Sequence, residues 1–201
     1  MKVIYKLLVL ALVTTVAVIL ILNPTYFAQQ VKYWFGGVGE SVVQNPNSDN
    51  TNTNPEKAEP NIVSIPSLDI KAPIQYSTES NEQAFQKALQ NGVVHYPDTA
   101  LIGQPGNVYI FGHSSDSAFA DGKYKTVFAL LPKVQNGAEI VLTDPSGLVY
   151  RYVVYDQFPA ENTDVHLLDQ NTDGRKILTL QTSYPIGTAL KRYIVKAELK
   201  E

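Results

Sequence analysis

Beyond residue 61 the chain is a series of short apolar runs, each cut off by turn residues, and this punctuation limits its fold more than any other feature. Residues 62–65, 72–76, 93–96, 108–112, 139–142, 148–158, 177–182 and 192–199 each read as a strand. Pro66 separates the first two, and Gly103-Gln104-Pro105-Gly106-Asn107 precedes the fourth. Asp144-Pro145-Ser146-Gly147 joins the fifth and sixth as a hairpin. Residues 81–90 have a helical period, with Phe85, Ala88 and Leu89 on one face. Ser80 and Gln83 fit a capping box at its start, and Asn91-Gly92 ends it. Residues 126–131 suit a second short helix. About eight short strands and few helices predict an all-β domain, a small closed barrel or a sandwich. Strand length alone does not choose between the two.

The first thirty residues obey a different rule. Residues 7–31 carry no charge, and 7–22 are almost wholly apolar. Extended to Ala28, the stretch suits one helix across a hydrocarbon core of roughly 30 Å. Tyr5 stands at one end and Tyr26, Phe27, Tyr33, Trp34 and Phe35 at the other, as aromatic belts do. A cleaved leader needs small residues at alternating positions near its cut, and Tyr26-Phe27-Ala28 supplies one. Residues 1–30 therefore read as an uncleaved single-pass anchor. Lys2 and Lys6 favour a cytoplasmic N-terminus and an extracytoplasmic domain. Between anchor and domain, residues 31–61 include an Asn- and Pro-rich stretch without aromatics after residue 40, which reads as a flexible extracytoplasmic linker. The domain is then 62–201.

Composition removes whole classes of function. The net charge of −3 lacks the basic stripe of a nucleic-acid binder. The absence of cysteine excludes disulfides, Cys-ligated zinc and any thiol nucleophile in the chain as it stands. Three histidines, His95, His113 and His166, are too scattered to predict a metal centre, and the acids Asp116, Asp121 and Glu161 lack calcium-loop spacing. No nucleophile elbow, phosphate loop, metalloprotease helix or dinucleotide fingerprint occurs.

Two segments stand out. In the first, the apolar run Val108-Tyr109-Ile110-Phe111 delivers Gly112-His113-Ser114 at its end. A histidine on a rigid strand end beside a cleft suits acid–base work. In the second, Thr179-Leu180-Gln181-Thr182-Ser183 ends a buried strand. A Pro- and Gly-containing loop follows, and Arg192 opens the last strand. Ser183 and Arg192 become neighbours if those two strands pair.

Taken together, these segments resemble the sortases, membrane-anchored transpeptidases of bacterial surfaces. Ile110-Phe111-Gly112-His113-Ser114 is similar to the family's histidine motif, and Thr179-Leu180-Gln181-Thr182-Ser183 to its nucleophile motif. Lys191-Arg192-Tyr193-Ile194-Val195 matches its arginine strand. The stretches 65–74 and 92–100 also resemble the family, and Tyr184-Pro185-Ile186-Gly187-Thr188 looks most like its classes D and E. The resemblance implies a closed barrel of about eight strands with one or two short helices, behind a single transmembrane helix. It implies His113 as acid–base, position 183 as nucleophile and Arg192 as clamp for the oxyanion or the peptide. His95 is a lesser candidate for the cleft wall, with a structural role favoured. No cofactor is implied. The partners implied are a surface-protein sorting signal of the Leu-Pro-x-Thr-Gly or Leu-Ala-x-Thr-Gly kind and an amine acceptor, either a cell-wall precursor or a lysine of a protein subunit. The membrane is a third partner.

The chain departs from the family at one position: Ser183 stands where the family has cysteine. A thiol ionises usefully near neutral pH, whereas a serine hydroxyl needs a strong base held against it. Activity is therefore expected to be reduced by about 10³-fold or more. Ser183 fits an introduced trap, a slow serine enzyme, or a catalytically silent, membrane-anchored peptide-binding module.

Overall fold

The computed structural model describes residues 2–22, 30, 31, 34, 58–115 and 122–200. Helix α1 covers Lys2–Leu22, and its described apolar side chains, Leu7, Leu10 and Leu12 among them, are exposed. The span expected over 7–28 runs on past residue 22 into residues outside the described set. Among the described residues no helix is long and apolar enough to cross a membrane. Most of the expected linker also lies outside the described residues.

The domain is a closed barrel, so a sandwich is ruled out. Its strands are β1 (Ile62–Ile65), β2 (Ile70–Tyr76), β3 (Val93–His95), β4 (Gly106–Phe111), β5 (Glu139–Thr143), β6 (Val149–Glu161), β7 (Lys176–Tyr184) and β8 (Lys191–Leu199). They close in the order β1-β2-β3-β4-β7-β8-β6-β5. Two pairs are parallel, β2 with β3 and β4 with β7; the rest are antiparallel. Helix α2 (Glu82–Leu89) crosses from β2 to β3.

Alternation along each strand decides what lies inside. Val108 and Ile110 of β4, Leu178 and Leu180 of β7, and Val195 and Ala197 of β8 fill the barrel with Phe128 and Tyr152. The outer face of β4 and β7 is buried as well. The segment after β6 lies over it, and Tyr109, Ala160, Leu167 and Ile194 form a second apolar cluster there. A strand covered on both faces reads as a continuous apolar run rather than an alternating one. That is why 108–112 and 177–182 look so uniform in the sequence.

Local chemistry sets several boundaries. At the β5–β6 hairpin Asp144 Oδ1 accepts from the backbone N–H of Ser146 at 2.8 Å and of Leu148 at 3.0 Å, while Gly147 takes a φ of 83°. Two local expectations are corrected. The N-cap of α2 is Asn81, whose Oδ1 accepts from Ala84 N–H at 2.9 Å, so the expected Ser80–Gln83 box does not form. The cap falls one residue later because Asn81 carries the extended backbone (φ −115°, ψ 155°) that a capping side chain needs. Residues 126–131 form successive turns leading into a 3₁₀ turn at Leu131–Lys133 instead of a helix. Pro132 removes a backbone donor there, and i+3 bonds such as Leu131 N–H to Phe128 C=O at 3.1 Å take over.

Candidate active site

β4 and β7 run side by side in register, Gly106 opposite Lys176 and Phe111 opposite Gln181. Strand periodicity therefore places Asn107, Tyr109 and Phe111 on the same outer face as Thr179, Gln181 and Ser183. β8 returns antiparallel, with Ser183 directly opposite Arg192. Paired residues on adjacent strands have Cα atoms about 4.5–5.5 Å apart.

His113 is brought to the same place by Gly112. The Gly112 N–H donates to Gln181 C=O at 3.1 Å, and its C=O accepts from Thr182 Oγ1 at 2.8 Å. The peptide groups preceding His113 are thus tied to those preceding Ser183. A side chain at 112 would be crowded: a Cβ there would meet Phe128 Cδ2 at 2.8 Å and Val93 Cγ1 at 3.0 Å. A further tie crosses the loops, where Gly187 N–H donates to Ser115 Oγ at 3.0 Å.

His113, Ser183 and Arg192 line one groove with a cavity of about 350 Å³. Phe85 of α2 forms one wall, packed edge-on to Phe111 with ring centroids 5.0 Å apart and 5.5 Å from Tyr96. The segment after β6 also borders the groove, through exposed Asp164 and Val165. All three predicted site residues converge, although their roles were inferred from widely separated segments.

The charged and polar groups have distinct states. Arg192 Nη1 donates long bonds to the carbonyls of Ala189 (3.4 Å) and Lys191 (3.3 Å). The guanidinium supplies the positive side of the groove. The Tyr109 hydroxyl, in the floor, donates to Gln181 Oε1. Burial pushes that hydroxyl above the ordinary tyrosine range, against the opposing Arg192 charge, so it remains a donor.

His95 does not reach the groove. Its buried ring lies 5.0 Å from that of Tyr76, and its Nε2 donates to Ala100 C=O at 2.9 Å. Burial lowers its pKa, and the Ala100 bond opposes that only in part. Its role is structural. His166 lies in a 3₁₀ turn capped by Asp164 Oδ1, which accepts its N–H at 3.1 Å. Glu161 pairs with Lys191 at 2.7 Å, and Asp116 and Asp121 lie outside the described residues. Among the described residues no three His, Cys, Asp or Glu side chains gather as a metal site. Sequence reasoning missed Tyr109 and Gln181 as groove-floor residues. The period-2 pattern 107-109-111 and 179-181-183 was the signal that could have found them.

The model of the sortase domain matches residues 63–200. Among solved structures, sortase C-1 from Actinomyces oris is 25% identical with a TM-score of 0.58, covering 70% of this chain and 73% of that one. A lid mutant of sortase A from Corynebacterium diphtheriae is 26% identical with a TM-score of 0.58, covering 73% and 72%. The sortase D5 transpeptidase of Clostridium perfringens is 26% identical with a TM-score of 0.57, covering 74% and 83%. No curated relative matches by sequence.

Proposed function

The chain belongs to the sortase family, and from that premise we propose that its groove binds a sorting signal and that the scaffold around position 183 is built for peptide transfer to an amine. The signal is of the Leu-Pro-x-Thr-Gly or Leu-Ala-x-Thr-Gly kind. The acceptor is an amine of a cell-wall precursor or of a lysine. The observation that carries this reading is the pairing of Ser183 with Arg192 across β7 and β8, in a groove that His113 also lines.

The chemistry assigns one task to each residue. A thiolate at position 183 would attack the carbonyl carbon of the Thr–Gly bond, and Arg192 would stabilise the oxyanion or hold the peptide. As the C–N bond breaks, His113 would give its proton to the leaving amine, which departs as the Gly-bearing fragment. The acyl group, now on residue 183, is released when the acceptor amine attacks, passing a proton to His113 and restoring the nucleophile. Ser183 offers a hydroxyl in place of the thiol. A hydroxyl is scarcely ionised at neutral pH, so this chain holds the peptide and turns it over slowly. We place the domain outside the cytoplasm, behind an anchor over residues 7–28, on the uncharged apolar sequence there.

The deciding experiment compares the chain with its Ser183→Cys variant on fluorescent peptides of both kinds, with and without an added amine. Cleavage by the variant and its acceleration or diversion by the amine support transfer. A variant that binds the peptides and never cleaves them supports the silent binder.

A further inference from the structure

Gln181 stands in the floor of the groove two residues before Ser183, on the same face of β7. Its carboxamide is half used. Oε1 accepts the hydroxyl of Tyr109, and among the described residues Nε2 donates to nothing. Gln170, in the loop before β7 and bonded to Asn107 of β4, is a built-in contrast. Its Oε1 accepts from Ala100 N–H at 3.0 Å and Asn107 N–H at 3.1 Å. Its Nε2 donates to Asn107 C=O at 3.1 Å and Leu168 C=O at 2.9 Å. Every hydrogen-bonding position of that amide is filled, as partly buried amides require.

In the structure the Gln181 amide faces Tyr109 with its oxygen. Tyr109 is 3% exposed, and its hydroxyl stays protonated because burial disfavours the phenolate. The hydroxyl proton has its acceptor in Gln181 Oε1. With the oxygen taken, the amide presents its two N–H donors at the half-exposed floor, beside Ser183 and bounded by the aromatic wall of Phe85 and Phe111. An extended peptide laid in such a groove brings main-chain carbonyls along its length, and these are acceptors without donors of their own once water is displaced.

We propose that Gln181 is a peptide-binding residue whose carboxamide N–H group donates to a main-chain carbonyl of the bound sorting signal, and that Tyr109 is the positioning residue that fixes the amide for this task. This rests on the peptide-transfer reading and deepens it. The contact is to the peptide backbone, so it serves Leu-Pro-x-Thr-Gly and Leu-Ala-x-Thr-Gly signals alike. It forms on binding and does not follow charge at the scissile bond, so it acts on affinity rather than on the chemical step.

The test uses fluorescein-labelled Leu-Pro-Gln-Thr-Gly and Leu-Ala-Gln-Thr-Gly peptides. Their Kd is measured by anisotropy on the Ser183 chain, and kcat and KM on the Ser183→Cys variant. Gln181→Met, which keeps length and removes the donors, should raise Kd and KM about tenfold for both peptides and leave kcat within about twofold, as one lost hydrogen bond predicts. Tyr109→Phe should raise them about threefold, and the double variant should be no worse than Gln181→Met, because both act through one contact. Unchanged Kd in Gln181→Met, a fall confined to kcat, or losses that simply add would overturn the proposal. Thermal melting of each variant keeps a folding defect from imitating the result. If Ser183→Cys cleaves with no dependence on Gln181, this inference alone fails. If the chain binds with that dependence and Ser183→Cys never cleaves, the inference stands and the transfer reading falls. If neither peptide binds, both are overturned.

Discussion

The parallel pair β4 and β7 has two ends whose outer faces end differently. At the amino end, Asn107 is 4% exposed, its Nδ2 donates to Leu167 C=O at 2.9 Å and its Oδ1 accepts from Thr179 Oγ1 at 2.8 Å. Gln170 closes over it with four bonds. At the carboxyl end, the cover stops. Gln181, Ser183, His113 and Arg192 border a groove of about 350 Å³, with donors and charge facing it. The same two strands therefore carry a polar seal and an open site. The seal bolts the segment after β6 in place, and that segment becomes the wall of the groove. Satisfied polar groups specify structure, whereas groups left facing a cavity are available to a ligand.

The comparison makes the two ends differ in what a mutation should change. The largest effect is expected at the open end. Ser183→Cys should raise sorting-peptide turnover by about 10³-fold or more, equivalent to about 4 kcal/mol of barrier. His113→Ala or Arg192→Ala in that background should remove most of the gain, measured as kcat/KM, with melting temperature nearly unchanged.

The sealed end should respond in stability. Asn107→Leu leaves the Leu167 carbonyl and the Thr179 hydroxyl without their partner, and should destabilise the domain by about 3 kcal/mol in urea titration. Gln181→Met, which takes an acceptor from the Tyr109 hydroxyl alone, should shift the same titration by only about 1 kcal/mol. Equal losses at both positions would erase the distinction between seal and site.

Gly112→Ala tests the junction between the halves. Its new Cβ meets the Phe128 ring and Val93, so a loss of about 2 kcal/mol is expected from overpacking. Displacement of His113 should also lower kcat in the Ser183→Cys background. A variant destabilised with kcat intact would show that the clamp at Gly112 does not set the position of His113.

The smallest effect concerns His95. Its folded pKa lies below that of the unfolded chain, first because it is buried. The unfolded state then binds the extra proton as pH falls through about 6.5, so stability present above that pH is lost below it. Melting curves between about pH 8 and pH 5 should slope downward, and His95→Gln should flatten them, while peptide binding at neutral pH is unaffected.

Much of this molecule was legible in the residues, for reasons that can be named. Ile62–Ile65 was bounded correctly because Pro66 cannot continue a ladder. The β5–β6 hairpin was announced by Asp144 and Gly147, whose turn chemistry is local. Motif order singled out His113, Ser183 and Arg192, and the fold brings the three to one groove. Boundaries failed where a neighbour one position away did the work, as Asn81 did in place of Ser80. The floor residues Tyr109 and Gln181 were missed because runs covered on both faces hide which side each residue takes.

The sequence by itself determined where strands and turns fall, that no thiol is present, and which side chains are candidates for chemistry, because propensity, turn geometry and reactivity belong to residues and their near neighbours. Strand pattern left barrel and sandwich open, the motif resemblance implied the barrel, and the tertiary structure closes it. It set Ser183 opposite Arg192 and tied Gly112 across to Gln181 and Thr182. It also saturated Gln170, while among the described residues the Gln181 amide N–H group donates to nothing. Those outcomes depend on strand register and on which segment covers which face, and register is fixed only when distant runs pack against one another.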